Sequence, residues 1–284
     1  MKKLIIIGKG PAGISAALYA ARGGLNVTVI AKDGGVLQKA DKIENYYGFA
    51  GGISAKRLLK EGECQAEALG VETVASEVVG IEFAAEGFTV KTLGGDFAAN
   101  AVIIACGTSR NVPPIGNIEK FEGHGVSYCA ICDGFFFRGK KVGVVGNGAY
   151  AQSEYRVLKN IIDNVSILTD GTSPALDETI PINNKKIVSF EGDETLKQVV
   201  FEDGSRDSFD GIFIACGTAG AFELAKKLGL EISNNKIVTD ENRATNIPGI
   251  FAAGDCVKGL QQIAKAVYDG MLAGTQAIRY LKNN

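Results

Sequence analysis

The sequence predicts an α/β chain made of two Rossmann-like dinucleotide-binding domains, the second inserted into the first. Three observations carry this expectation. The chain opens with a strand, a Gly8-Lys9-Gly10-Pro11-Ala12-Gly13 turn, a helix and a second strand. The same passage recurs with a G-x-G-x-x-A turn at Gly146-Asn147-Gly148-Ala149-Tyr150-Ala151. Each copy then ends alike, in Ala101-Val102-Ile103-Ile104-Ala105-Cys106-Gly107-Thr108 and Gly211-Ile212-Phe213-Ile214-Ala215-Cys216-Gly217-Thr218. After the second ending comes Ile247-Pro248-Gly249-Ile250-Phe251-Ala252-Ala253-Gly254-Asp255, a strand that belongs to the first copy, so the copies are nested rather than tandem. The expected domains are 1–110 with 242–284, and an insert over 111–241.

Taken in order, residues 4–7 are an unbroken apolar run of the kind buried on both faces of a parallel sheet. Two lysines precede it in the manner of a secretory leader, but the run stops at Gly8, too early for one. A helix is expected over about 14–21 and a strand over 26–30. Between them, the glycines turn the chain tightly, admit a pyrophosphate to the backbone and let the helix pack on the sheet. In the second copy the expected elements are a strand at 141–145, a helix to about 160 and a strand at 165–169. A last helix is expected over about 262–281.

The 284 residues, 46% of them hydrophobic, suffice for two ordinary cores. The net charge of -2, with both signs interleaved, gives no case for binding nucleic acid or an anionic membrane, and no stretch approaches membrane-spanning length. Six cysteines without a secretion signal point to a reducing compartment, the cytoplasm. His124 is the only histidine and is expected to be exposed in its loop, so hydrolytic triads and histidine metal sites are hard to build, and no metal site is expected.

The chemistry is concentrated in Cys129-Ala130-Ile131-Cys132-Asp133-Gly134. Two thiols at this spacing can close a disulfide ring that opens on accepting two electrons, and Asp133 stands beside Cys132 to handle the proton. A zinc half-site and a plain structural disulfide are the other readings; the first needs a second ligand pair that the chain lacks. Cys106 and Cys216, at equivalent strand ends, read as small core fillers, and Cys64 and Cys256 as structural.

These motifs, together with Glu44-Asn45-Tyr46-Tyr47-Gly48 and the Phe135-Phe136 pair after the thiols, resemble the low-molecular-weight bacterial thioredoxin reductases, which are flavoprotein disulfide reductases. The resemblance spans essentially the whole chain. It implies the FAD/NAD(P)-linked disulfide reductase architecture, bound FAD, a homodimer, and thioredoxin or a thioredoxin-like protein as substrate. It further implies that Gly8, Gly10, Pro11, Ala12 and Gly13 hold the FAD pyrophosphate, with Gly35, Leu37, Asn45, Gly107 and Gly254 also lining the cofactor. Asp255 would bind the ribitol chain, and Gln262 and Ile263 would lie near the isoalloxazine. Cys132 would face the flavin, Cys129 would attack the partner, and Asp133 would shuttle the proton.

One departure bears on the electron donor. Where the family carries a histidine and arginines for the NADPH 2'-phosphate, this chain reads Leu168-Thr169-Asp170-Gly171-Thr172-Ser173-Pro174, without a cation. Asp170 would repel that phosphate, although an acid about twenty residues past the turn suits the ribose of NADH. The following helix is expected to be missing, and Tyr150 is expected to crowd a pyrophosphate. The pattern is most similar to the ferredoxin-dependent flavin thioredoxin reductases, so reduced ferredoxin is the expected donor, with NADH and NADPH as alternatives. A dithiol oxidase returning electrons to oxygen and a flavin-binding redox sensor remain as other readings.

Overall fold

Parallel strands with buried apolar runs form the centre of each half of the computed structural model, which describes residues 2–107, 113–128, 130–173, 179–216 and 220–284, with Lys39, Ile131 and Cys132 described in backbone only. The chain divides into two units, Met1–Arg110 with Gly220–Asn284, and Asn111–Ala219.

In the discontinuous unit five parallel strands lie in the order Ile250–Ala252, Ala101–Ile104, Lys3–Ile7, Asn26–Ala31, Glu72–Ala75. Ile6 pairs with Val29 on one side and Ile103 on the other, and Phe251 pairs with Ile103. The central strands Lys3–Ile7 and Ala101–Ile104 carry apolar runs because both faces are covered, whereas the edge strand Glu72–Ala75 is partly exposed. An antiparallel meander, Val78–Ala84, Gly87–Thr92 and Gly95–Ala99, leads from the edge strand back to the centre. The first helix, Pro11–Arg22, starts three residues before the expected position because Pro11 needs no N–H partner in a first turn. It packs closely on the final helix, Ile263–Asn283: a Cβ added at Gly270 would lie 2.1 Å from Ala12 O, and one at Gly274 would lie 2.5 Å from Ala16 O. Ser15 Oγ donates to Val267 O across the same seam.

The inserted unit repeats the plan, with parallel strands in the order Val126–Ser127, Gly211–Ile214, Lys141–Val145, Asn164–Leu168, Ile182–Asn183. The helix Ala149–Lys159 follows its glycine turn. Among the described residues no helix joins Asn164–Leu168 to Ile182–Asn183. A second meander, Ile187–Gly192, Leu196–Phe201 and Arg206–Ser208, closes a core around Phe121, Phe190, Phe201 and Phe209.

The return to the first unit falls at Gly220, earlier than the expected 242. Helix Ala221–Leu228 and the small hairpin of Ile232–Ser233 and Lys236–Ile237 cause the shift. Lys227 Nζ donates to Val79 O, and Ile237 bridges to Val257, so the segment packs with the first unit. Among the described residues no helix is long and apolar enough to cross a membrane.

Candidate functional site

The three glycines of the first turn differ in what a side chain there would meet. Gly8 has φ +108, and a Cβ there would lie 2.5 Å from Ala105 O. Gly13 could carry none either, since its Cβ would fall 1.8 Å from Gly8 O. Gly10 is the opposite case, with nothing within 4 Å of the Cβ position. The same open space lies before Gly35 and Gly107, so bare backbone follows the carboxyl ends of three neighbouring strands. That is where open parallel sheets bind their ligands.

The remaining predicted cofactor residues come from distant stretches. Asn45 Nδ2 donates to Gln262 Oε1 at 2.9 Å. Leu37 and Ile263 pack on one small cluster of Ile43, Ile53 and Ala55. Pro11 opens the first helix, and Gly254, at φ +83, faces Ala12, whose Cβ would be 2.8 Å from its own. Asp255 Oδ1 is buried without a hydrogen-bond partner among the described residues. Burial pushes the Asp255 carboxyl above its usual range, and Lys265 and Lys236 oppose the shift. Side-chain-free backbone for a pyrophosphate and an acceptor awaiting hydroxyl donors both fit FAD, which when bound supplies reversible two-electron chemistry.

Cys129 lies outside the described residues, as does the side chain of Cys132; Cys132 itself belongs to the short helix Ala130–Asp133. Ser127 Oγ donates to Asp133 Oδ2 at 2.6 Å, fixing one oxygen of the predicted proton carrier. Ala130 N donates to Glu154 Oε2 at 2.9 Å. Glu154 is 1% exposed, and sequence reasoning missed it. Its signal was available: it is the one acid on the buried stripe of Tyr150, Ala151, Tyr155 and Leu158. Directly beyond, Phe135 and Phe136 are exposed, with the Arg138 guanidinium 4.5 Å from the Phe135 ring.

The second glycine turn keeps its shape. A Cβ at Gly146 would lie 2.3 Å from Ala215 O, and Gly148 faces open space. Tyr150 is 1% exposed, so its bulk is in the core of the unit and does not crowd the turn as expected; helix geometry turns that position inward. Asp170 is engaged twice: Oδ2 pairs with Lys186 Nζ at 2.9 Å and Oδ1 accepts from Ile187 N at 2.8 Å. Asp170 has φ +52 and Gly171 φ +75, and the two left-handed residues fold the chain back onto Lys186.

The four other cysteines are free thiols. Burial pushes Cys216 and Cys256 up to about 12 and raises Cys106 further, which makes all three poor nucleophiles. Cys106 and Cys216 are partly buried at their strand ends, Cys64 is exposed on helix Ala55–Glu67, and His124 is exposed in its loop.

The chain matches the family model described as pyridine nucleotide-disulphide oxidoreductase over residues 2–270. The thioredoxin reductase of Listeria innocua is 34% identical over 299 residues, covering 98% of this chain and 93% of the relative. That of Peptoclostridium acidaminophilum is 32% identical, covering 99% and 97%. The crystal structure of the atypical thioredoxin reductase TRi from Desulfovibrio vulgaris Hildenborough is 39% identical, with TM-score 0.95, covering 100% of this chain and 99% of that one. A ferredoxin-flavin thioredoxin reductase from Clostridium acetobutylicum is 29% identical, with TM-score 0.75 over the whole of both chains. The chain therefore belongs to the pyridine nucleotide-disulphide oxidoreductase family, as an FAD-binding flavoprotein of the thioredoxin reductase type that acts on a sulfur group.

Proposed function

We propose that this enzyme takes electrons from reduced ferredoxin and delivers them, by way of FAD and the Cys129/Cys132 pair, to thioredoxin or a thioredoxin-like protein. The discontinuous unit is the FAD-binding domain in this reading, the insert carries the redox pair, and the enzyme works as a cytoplasmic homodimer. One observation supports the choice of donor above the rest. The site that would grip a nicotinamide nucleotide is tied up, because both oxygens of Asp170 already serve Lys186 and Ile187 N. Serving ribose hydroxyls as well would mean reaching an acid whose side chain is 14% exposed and held on both oxygens, and Lys186, paired with it, brings no uncompensated charge for a 2'-phosphate. The likeness to a ferredoxin-flavin thioredoxin reductase supports the same reading. A ferredoxin near -400 mV and a thioredoxin near -270 mV make the transfer downhill by about 130 mV, roughly 6 kcal/mol for two electrons.

The residues divide the work. Gly8, Gly10, Pro11, Ala12 and Gly13 hold the pyrophosphate, Gly35, Leu37, Asn45, Gly107 and Gly254 line the cofactor, Asp255 accepts from the ribitol hydroxyls, and Gln262 and Ile263 border the isoalloxazine. The Cys129 thiolate attacks one sulfur of the partner's disulfide, and the partner's other sulfur leaves as a thiolate and is protonated. Cys132 then displaces the partner from the mixed disulfide, so that the Cys129–Cys132 bond re-forms and the partner departs as a dithiol. Asp133, steadied by Ser127, carries protons for the pair, and the exposed Phe135 and Phe136 offer the partner an apolar footing.

Anaerobic titration of the purified protein tests the donor. Reduced ferredoxin should bleach the flavin absorbance, whereas micromolar NADPH or NADH should leave it unchanged; bleaching by NADPH at that concentration would sink the proposal. Asp133→Asn should lower kcat with thioredoxin roughly 100-fold. Ser127→Ala should cost about tenfold, the worth of a charge-assisted hydrogen bond. Both variants should keep their full FAD content, and a rate within twofold of wild type for Asp133→Asn would remove the proton role.

A further inference from the structure

Two residues of the FAD-binding unit run against local preference, and both end on one carboxylate. Lys265 stands in the first turn of helix Ile263–Asn283, where the free N–H groups disfavour a cation. Arg243 has φ +68, a left-handed conformation that long side chains seldom adopt. Arg243 donates to Asp269 Oδ1 through Nε at 2.9 Å and Nη2 at 2.7 Å. Lys265 Nζ lies 2.8 Å from Asp269 Oδ2. Asp269 is 0% exposed, in the middle of the helix. Local exceptions of this kind persist where the surroundings over-determine them, and they concentrate at functional sites.

The other bonds of the cluster converge on the Gly254-Asp255 turn. Gly254 N donates to Asp269 Oδ2 at 3.1 Å, and Lys265 Nζ donates to Gly254 O at 2.7 Å. Lys236 Nζ, from the hairpin that joins this unit after Gly220, donates to Asp255 O at 2.6 Å. Backbone groups on both sides of the Asp255 side chain are therefore fixed by charged groups, while Asp255 Oδ1 is buried without a hydrogen-bond partner among the described residues. A peptide segment clamped this way fixes the direction in which the Asp255 side chain leaves the backbone, so the carboxylate always starts from the same place.

We infer that Lys236, Arg243, Lys265 and Asp269 form a positioning device that holds Asp255 ready for the hydroxyl-bearing chain of FAD and thereby sets how tightly the cofactor is held. None of the four needs to touch the cofactor; they act through Asp255. The inference rests on Asp255 as an FAD ligand, and the test separates the two.

FAD retained by the holoenzyme on ultrafiltration, and its melting temperature with and without excess FAD, are the measurements. Lys265→Met should weaken FAD about tenfold or more, the loss expected of charge-assisted hydrogen bonds. Its melting temperature should fall mainly when FAD is not in excess, and Lys265→Arg should restore most of the affinity. Wild-type FAD affinity in Lys265→Met overturns the inference. So does a melting temperature that falls equally with and without added FAD, because a role confined to the fold would do that. Should Lys265→Met not fold, Lys236→Met removes only the bond to Asp255 O and spares Asp269; it must weaken FAD, and unchanged affinity there is equally fatal. Asp255→Ala tests the underlying reading. Unchanged FAD affinity in that variant removes Asp255 as a ligand, whereas a loss there with none in Lys265→Met or Lys236→Met sinks the positioning role alone.

Discussion

Cys132→Ser should yield a yellow, FAD-loaded protein whose turnover with thioredoxin has fallen by roughly 10⁴-fold or more, the scale on which removing one member of a catalytic unit disables the whole. A serine hydroxyl cannot close a disulfide ring, so no electron pair can pass from the flavin to the partner through this pair. No other thiol can stand in. Cys106, Cys216 and Cys256 have thiols raised by burial, and Cys64 lies exposed on a helix of the other unit. Cys129→Ser should be equally inactive, for a different reason: the attacking sulfur is gone. Steady-state thioredoxin reduction with FAD content measured in parallel checks both variants. Turnover above about one hundredth of wild type in Cys132→Ser would mean that the pair is not the obligatory carrier.

Gly13→Ala should lose both cofactor and stability, by about 3 kcal/mol, the upper end for forcing atoms into a packed site. The added Cβ would fall 1.8 Å from Gly8 O and 2.9 Å from Gly8 C. The turn cannot yield, because Gly8 is itself confined at φ +108 against Ala105 O. Gly10→Ala is the contrast. Its Cβ meets nothing within 4 Å, and the backbone there is extended, at φ -72, so folding stability should change by less than about 1 kcal/mol. In the proposed site the methyl would stand where the pyrophosphate approaches, so FAD binding should weaken. Thermal melts and flavin absorbance per chain, taken on both variants, distinguish a glycine needed by the fold from one needed by the ligand. A stable, fully yellow Gly13→Ala protein would contradict the packing argument.

The strands and glycine turns were legible in the sequence because parallel strands buried on both faces read as unbroken apolar runs, as residues 4–7 and 101–104 do, with each turn in a fixed place after its strand. The family fold and FAD followed from those motifs taken together. The position at which the chain re-enters the first unit was not legible. Helix Ala221–Leu228 carries no mark of the surface it will meet, and its tie to Val79 reaches across 148 residues of sequence. Charge partnerships were equally hidden. Asp170 reads in sequence as an acid in a loop without cations, and only the fold of the following meander brings Lys186 and Ile187 N to it. Tyr150 shows a third limit, since a bulky residue at a helix start reads as an obstruction until its facing is known, and here it faces the core. Glu154 could have been found, because an acid on an apolar helical stripe must have a buried partner.

The double engagement of Asp170 also bears on any attempt to place a cation for a 2'-phosphate at that position. Placing arginine at that position would supply a grip for phosphate and simultaneously strip Ile187 N of its acceptor and Lys186 of its counter-ion. An amide orphaned in this way costs about 1–3 kcal/mol. The carboxylate is thus a latch on its own fold: such a variant would need a new acceptor for Ile187 N before it could tolerate the new cation.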